Sequence, residues 1–155
     1  MESFKQFFER KYYGTEAAGT IFVADDTKRI LFLKRSGEED SEQGQWEITI
    51  GGKKDDEDID VTVTRDRESN EEIGDVPNVI DVQMIEMFVD TGEDNKPFRY
   101  TVFSKKVKNE FKPKLSHEHD AFKWVHIIKE EIPTPLHFGT ERLIYKNYRI
   151  KDLTK

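Results

Sequence analysis

The sequence predicts an α+β fold, an α/β/α sandwich in which a mixed central β-sheet is flanked by helices. Three observations carry this. Strand-like runs outnumber helical ones, the one strong internal helix falls between strands, and a further helix closes the chain.

The elements follow in order. Phe4, Phe7 and Phe8 stand at i, i+3 and i+4 behind Ser3, a good N-cap, so residues 3–12 read as a short helix. Ala17 to Ala24 reads as a buried strand around Ile21-Phe22-Val23. A turn at Asp25-Asp26-Thr27-Lys28 leads to a second strand, Arg29 to Lys34, giving a hairpin. Ser36 to Gln45 is loop. Trp46 to Ile50 alternates and runs as a third strand into the break Gly51-Gly52, followed by the charged loop Lys53 to Asp58. Asp60 to Ile73 has neither Gly nor Pro; Asp60 is placed to cap a helix and Gly74 to end it. Val79 to Asp90 and Phe98 to Val107 are strands joined by a turn at Gly92-Glu93-Asp94-Asn95. Phe111 to Asp120 is loop, Phe122 to Ile128 a short strand containing Trp124, and Ile132-Pro133-Thr134-Pro135 a break. Gly139 to Tyr148 is the terminal helix. No repeat, linker or boundary interrupts residues 1–155. They are expected to form one domain, with its core at about 17–150 and residues 1–16 as a helical extension.

Charged residues (37%) outnumber apolar ones (35%), a balance that leans towards disorder; the 11 Phe, 5 Tyr and 2 Trp argue for a packed core instead. The absence of Cys excludes disulfides, a thiolate metal site and a Cys nucleophile. No apolar stretch approaches the length of a membrane span, and Met1-Glu2-Ser3-Phe4-Lys5 lacks the apolar core of a signal peptide. A cytoplasmic location without membrane partners is the expectation. The net charge of −7, with no basic block, disfavours nucleic acid as a partner.

The chemistry concentrates in Arg67-Glu68-Ser69-Asn70-Glu71-Glu72-Ile73-Gly74. At ~100° per residue, Glu68, Glu71 and Glu72 share one helix face. Three carboxylates so close repel unless a cation or Arg lies among them. Mg²⁺ takes oxygen ligands, usually one or two carboxylates with waters and phosphates, and a rigid acidic helix suits it. A solvated acidic face is the plain alternative. Two features speak against it: Gly51-Gly52 just upstream, where backbone can approach a ligand closely, and Arg67 beside the cluster.

These residues resemble the Nudix hydrolase family. Arg67, Glu68, Glu71, Glu72 and Gly74 match the second half of its signature without a gap, and Gly51-Gly52 matches its glycine start. The chain departs from the pattern in three ways. One extra residue lies between Gly52 and Arg67, so the upstream acid is open between Glu57 and Asp58. Ser69 and Asp75 stand at apolar positions. The loop lacks the usual Pro-Gly pair. From about residue 17 onward the likeness continues, through the opening hairpin and Gly44-Gln45-Trp46-Glu47 to Ser116–Val125 and Leu136-His137-Phe138-Gly139.

The resemblance implies a Nudix-type fold and hydrolysis of a pyrophosphate bond in a nucleoside diphosphate linked to X. Candidates for the substrate are ADP-ribose, a dinucleoside polyphosphate, an FAD- or NADH-like molecule, or a nucleoside triphosphate. Water would attack phosphorus with the help of Mg²⁺, or Mn²⁺ in its place. Gly52, Glu68, Glu71, Glu72 and Glu118 are the implied metal-binding residues. Glu68, Glu71, Glu72, Glu118 and Arg67 form the implied catalytic set, with His117 or His119 as alternative bases. Arg67 would brace the loop through Glu57 or Asp58. Arg35 would meet a phosphate, and Trp46, Phe88, Tyr100 and Phe103 are candidates to stack on a base. A binding module with weakened catalysis and an RNA 5′-end decapping enzyme are the competing readings. Family members are often homodimers, and the sequence shows no interface that decides it.

Overall fold

The computed structural model describes residues 14–37, 42–91 and 95–155. The helix expected at residues 3–12 lies outside them. Seven strands form one mixed sheet: β1 (Thr15–Ala24), β2 (Ile30–Arg35), β3 (Trp46–Glu47), β4 (Ile50–Lys53), β5 (Val79–Thr91), β6 (Pro97–Val107) and β7 (His119–Val125). Among the described residues three helices accompany them: α1 (Val61–Ile73), α2 (Phe138–Lys146) and α3 (Tyr148–Asp152).

β1 is the spine. It runs parallel to β6 over its whole length, and β6 pairs antiparallel with β5 at the sheet's edge. On the other side β1 touches β2 only at Val23↔Ile30, because β2 turns away to pair with β7. β4 takes the edge so vacated, pairing Ala17–Thr20 with Ile50–Lys53. The sheet therefore forks, and the site lies in the fork.

Both faces of β1 are covered, which explains why Ile21-Phe22-Val23 is an unbroken apolar run and not an alternating one. Phe22, Ala24, Leu31, Leu33, Ile50, Val107 and Trp124 pack with Ile73 of α1. Ile21, Val23, Phe32, Ile48, Val102 and Val125 pack with Leu143 and Ile144 of α2 and with Ile150 of α3. Helices thus cover the sheet on both sides, as the α+β reading expects.

Helix α1 begins where Asp60 caps it, its carboxylate accepting from Thr62 N at 2.8 Å and Val63 N at 3.3 Å. It ends at Gly74, whose φ of 75° suits glycine and whose N–H donates to Asn70 O. Its buried face is only apolar at the ends, Val61 and Ile73, with Thr64, Ser69 and Glu72 between them.

Three expected elements differ in detail. The strand expected at Trp46–Ile50 is two strands, because Ile48 N turns to Thr140 Oγ1 instead of a sheet partner. The last strand begins at His119, not Phe122, because His119 pairs with Arg35 past an irregularity at Lys34/Arg35. The terminal helix stops at Asn147, whose side chain accepts from Arg149 N and starts α3.

β1 and β4 approach so closely that a Cβ on Gly51 would overlap the main chain of Ala18 and Gly19. We expect Gly51→Ala to destabilise the protein by about 3 kcal/mol, the upper end of overpacking. Gly37→Ala, which meets nothing within 4 Å, should be near neutral. Equal urea midpoints for the two variants would contradict this packing.

Candidate metal centre

Arg67 is the hub of the site. Its Nε and Nη2 donate to the two oxygens of Asp58 at 3.2 and 2.9 Å, a bidentate pair. Nη2 also reaches Lys53 O at 3.2 Å, and Nη1 reaches Glu68 Oε1 at 3.1 Å and Glu71 Oε1 at 3.3 Å. Of the two acids left open by sequence, Asp58 meets Arg67. Its carboxylate is 4% exposed and also accepts from Thr64 Oγ1 at 2.8 Å and Asp55 N at 3.2 Å. Glu57 is exposed, and its N–H donates to Asp55. The extra residue is absorbed in the loop, where Asp55 Oδ1 accepts from the backbone of both Glu57 and Asp58.

Hydrogen bonds from Arg67 hold the Asp58 carboxyl at about 2, against the burial that would raise it. The Arg67 guanidinium is raised in turn, above all by Asp58.

Glu72 lies one turn on, 7% exposed. Burial foremost, then the neighbouring carboxylates of Glu118, Glu47 and Glu68, push its carboxyl up to about 10. Glu68 is raised for the same first reason, opposed by Arg67. Glu118 comes from the loop before β7, which is docked onto the end of α1. Lys114 N donates to Ile73 O at 2.9 Å and Ser116 N to Glu72 O at 3.1 Å, satisfying carbonyls that a helix end leaves free. Ser36 fixes the same loop, its N–H donating to Glu118 O and its Oγ to His117 O.

Glu72, Glu118 and His119 offer ligand atoms all within 4.8 Å of one another. His119 Nε2 lies 2.7 Å from Glu47 Oε1, and Arg35 Nη1 lies 3.4 Å from the same carboxylate. Gly52 is a cradle: a Cβ there would sit 2.6 Å from the Glu68 carboxyl. These oxygen donors, crowded and partly desolvated, fit a hard divalent cation. Glu68, Glu72 and Glu118 would hold it, with the Gly52 backbone alongside.

Beside the centre is a cavity of about 270 Å³ lined by Glu47, Phe88, Phe98, Tyr100, His137 and Phe138, among others. Phe88 and Tyr100 stack on each other there, 5.4 Å between ring centroids at 14°.

Of the residues singled out by sequence, Glu72, Glu118 and His119 converge, with Glu68 and Arg67 paired one turn away. Glu71 is exposed and tied to Arg67. Phe88 and Tyr100 line the cavity; Trp46 packs on the core and bridges to Leu136, and Phe103 is buried under Arg65. The Arg35 guanidinium is engaged by Glu47. Sequence reasoning passed over Glu47 as a site residue; its signal was a carboxylate inside the alternating strand Trp46-Glu47-Ile48. It also passed over Phe98, His137 and Phe138 in the cavity; the last two lie in the segment Leu136-His137-Phe138-Gly139 that carries part of the family likeness.

The fold is a mixed sheet between helices, with the capped acidic helix packed against β1 and β4. The profile of the NUDIX domain matches residues 15–146, and the chain belongs to that family. Solved structures are similar in fold. A MutT NUDIX hydrolase from Burkholderia pseudomallei is 22% identical, with a TM-score of 0.63 over 84% of this chain and 95% of that one. A MutT protein from Methanosarcina mazei Go1 is 19% identical, with a TM-score of 0.64 over 92% and 99%. An Ap4A hydrolase from C. elegans is 20% identical, with a TM-score of 0.57 over 90% and 92%. No protein of curated function matches the sequence. Among the described residues, no helix is long and apolar enough to cross a membrane.

Two predictions follow from the electrostatics. The folded pKa of Asp58 lies below its ordinary 3.8, so its contribution is present above about 4 and is lost as pH falls towards about 2. Asp58→Ala should therefore lower stability by about 3 kcal/mol at pH 7, as for a broken buried pair, with the gap to wild type closing near pH 2. Urea titrations at the two pH values measure it. Glu72 has the opposite sign. Its folded pKa lies above 4.5, so the folded state holds the proton longer. Stability of the metal-free protein should fall as pH rises from about 4.5 towards about 10. Glu72→Gln should flatten that slope in thermal melts recorded in chelator.

Proposed function

We propose that this chain is a Mg²⁺-dependent hydrolase of nucleoside diphosphates linked to another group, with Mn²⁺ as a substitute cation. The observation that carries this is the meeting of Glu72 from α1 with Glu118 and His119 at the start of β7, one helical turn from Glu68 and its brace of Arg67 and Asp58. The bound cation would polarise the phosphate oxygens and lower the pKa of an attacking water. Gly52 lets Glu68 lie against the strand end, where a larger residue would push it out. Glu71, outside the compact group, pairs with Arg67 and is near enough to solvent to meet a second cation carried in with the polyphosphate.

The aromatic cavity is the favoured place for the nucleoside. It is large enough for a base and is walled by aromatic rings, Phe98 tilted against Tyr100 and Phe138 stacked on His137. Glu47 reaches from the cavity to His119 and so joins the base end to the metal end. ADP-ribose, dinucleoside polyphosphates, FAD- and NADH-like molecules and nucleoside triphosphates form the substrate panel. An Ap4A hydrolase among the structural neighbours supports including the dinucleoside polyphosphates.

The expected outcome is Mg²⁺-dependent release of a nucleoside monophosphate from at least one member of the panel. Glu72→Gln should reduce kcat by at least about a hundredfold, a loss of a few kcal/mol of transition-state stabilisation. Glu71→Gln should cost less. Wild-type rates equal to those of the Glu72 variant would sink the enzyme reading. Binding of a panel member without turnover or metal dependence would identify a binding module instead.

A further inference from the structure

Not all of the ligand atoms at the centre are oxygens. A ring nitrogen of His119 lies within 4.8 Å of carboxylate oxygens of both Glu72 and Glu118. The His119 residue is 5% exposed, and its Nδ1 is buried without a hydrogen-bond partner. Its Nε2 meets Glu47 Oε1 at 2.7 Å. With a carboxylate oxygen as its partner, Nε2 is placed to donate. In the neutral ring the lone pair then sits on Nδ1, in a dry setting that offers it no donor. Arg35 Nη1 donates to the same Glu47 carboxylate at 3.4 Å.

We propose that His119 is a nitrogen ligand of the divalent cation, completing a mixed nitrogen–oxygen centre with Glu72 and Glu118, and that Glu47 and Arg35 are its positioning residues. The proposal rests on the metal-dependent reading above and deepens it. A carboxylate behind a ligating histidine fixes the tautomer and orients the ring, the role Glu47 is placed to play. The consequence is selectivity. Imidazole suits the first-row transition ions, Mn²⁺ the most weakly of the series, whereas Mg²⁺ is served by oxygen alone. This chain should therefore favour Mn²⁺ over Mg²⁺ more strongly than an all-oxygen site would. The competing arrangement is an imidazolium at His119 that neutralises the acidic group from within; it donates from both nitrogens and ligates nothing.

The test reads the nitrogen directly. The full chain is loaded with one equivalent of Mn²⁺, and the electron spin echo modulation of the metal is recorded. We expect a coupled ¹⁴N signal that changes to the ¹⁵N pattern when only the histidines are ¹⁵N-labelled. It should persist in His117→Gln, which alters the exposed neighbour, and disappear in His119→Gln. The latter variant should lose at least about tenfold in Mn²⁺ affinity and less than about threefold in Mg²⁺ affinity. A wild-type spectrum without histidine nitrogen, a signal that survives in His119→Gln, or no Mn²⁺ binding each overturns the proposal. Should His119→Gln not fold, the labelled wild-type spectrum with His117→Gln decides it. The hydrolysis assay runs in parallel. Turnover without nitrogen coupling removes the ligand and leaves the enzyme; absent turnover removes the enzyme reading whatever the spectrum shows.

Discussion

The candidate site depends on one guanidinium. Arg67 ties the loop after β4, through Lys53 O and Asp58, to the acidic face of α1, through Glu68 and Glu71. The four contacts are unequal. The Glu71 pair is an exposed i, i+4 contact of the kind that contributes about 0.3–0.5 kcal/mol. The Asp58 pair is bidentate, with its carboxylate buried and further held by Thr64 and the Asp55 N–H. Position is therefore set by Asp58, and Glu68 and Glu71 arrange themselves about a cation already fixed in place. The same charge keeps Glu68 nearer its ionised form than burial alone would.

A second tie brings in the far end of the chain. The last carbonyls of α1 need donors, and Lys114 and Ser116 supply them from the segment that precedes β7. That segment is anchored in the core by Phe111, which meets Phe22 and Trp124 edge-on and whose carbonyl accepts from Trp124 Nε1 at 3.0 Å. Ordinary helix termination and an ordinary aromatic contact thus deliver Glu118 and His119 to Glu72. No special backbone geometry is required, only that β7 start where β2 has turned away from β1.

These relations sort what could be read from sequence. The strands and α1 were legible because their signals are local: apolar runs, glycine breaks, an Asp cap and a terminal glycine. Glu68, Glu72 and Arg67 were legible because helical spacing alone puts them together. The choice between Glu57 and Asp58 was not, since it turns on how Asp55 folds the loop back. Ser69, at a position usually apolar, is buried on the helix's inner face, whereas Asp75 is exposed and accepts from Asn70; one departure from the pattern concerns packing and the other does not. The break of the third strand at Ile48 depends on Thr140, far along the chain, and Glu47's role depends on His119. Long-range partners of this kind leave no trace in local pattern.

Helix α1 carries a conflict that explains its construction. Its inner face is too polar to be held by apolar burial alone, and Glu72 is desolvated among three other carboxylates, Glu47, Glu68 and Glu118. Each of these opposes folding. What offsets them is concentrated at the ends: the Asp60 cap, Val61 and Ile73 in the cores, the Gly74 terminus, and the donors from Lys114 and Ser116. A helix pinned at both ends can hold an unfavourable charge in its middle. A divalent cation that meets that charge binds the folded chain and not the unfolded one. It therefore stabilises the fold by an amount that grows with the logarithm of its concentration. The electrostatic tension that weakens the metal-free protein is then the same quantity from which a bound cation would draw its affinity. Relieving it by substitution should gain stability only at the expense of the cation.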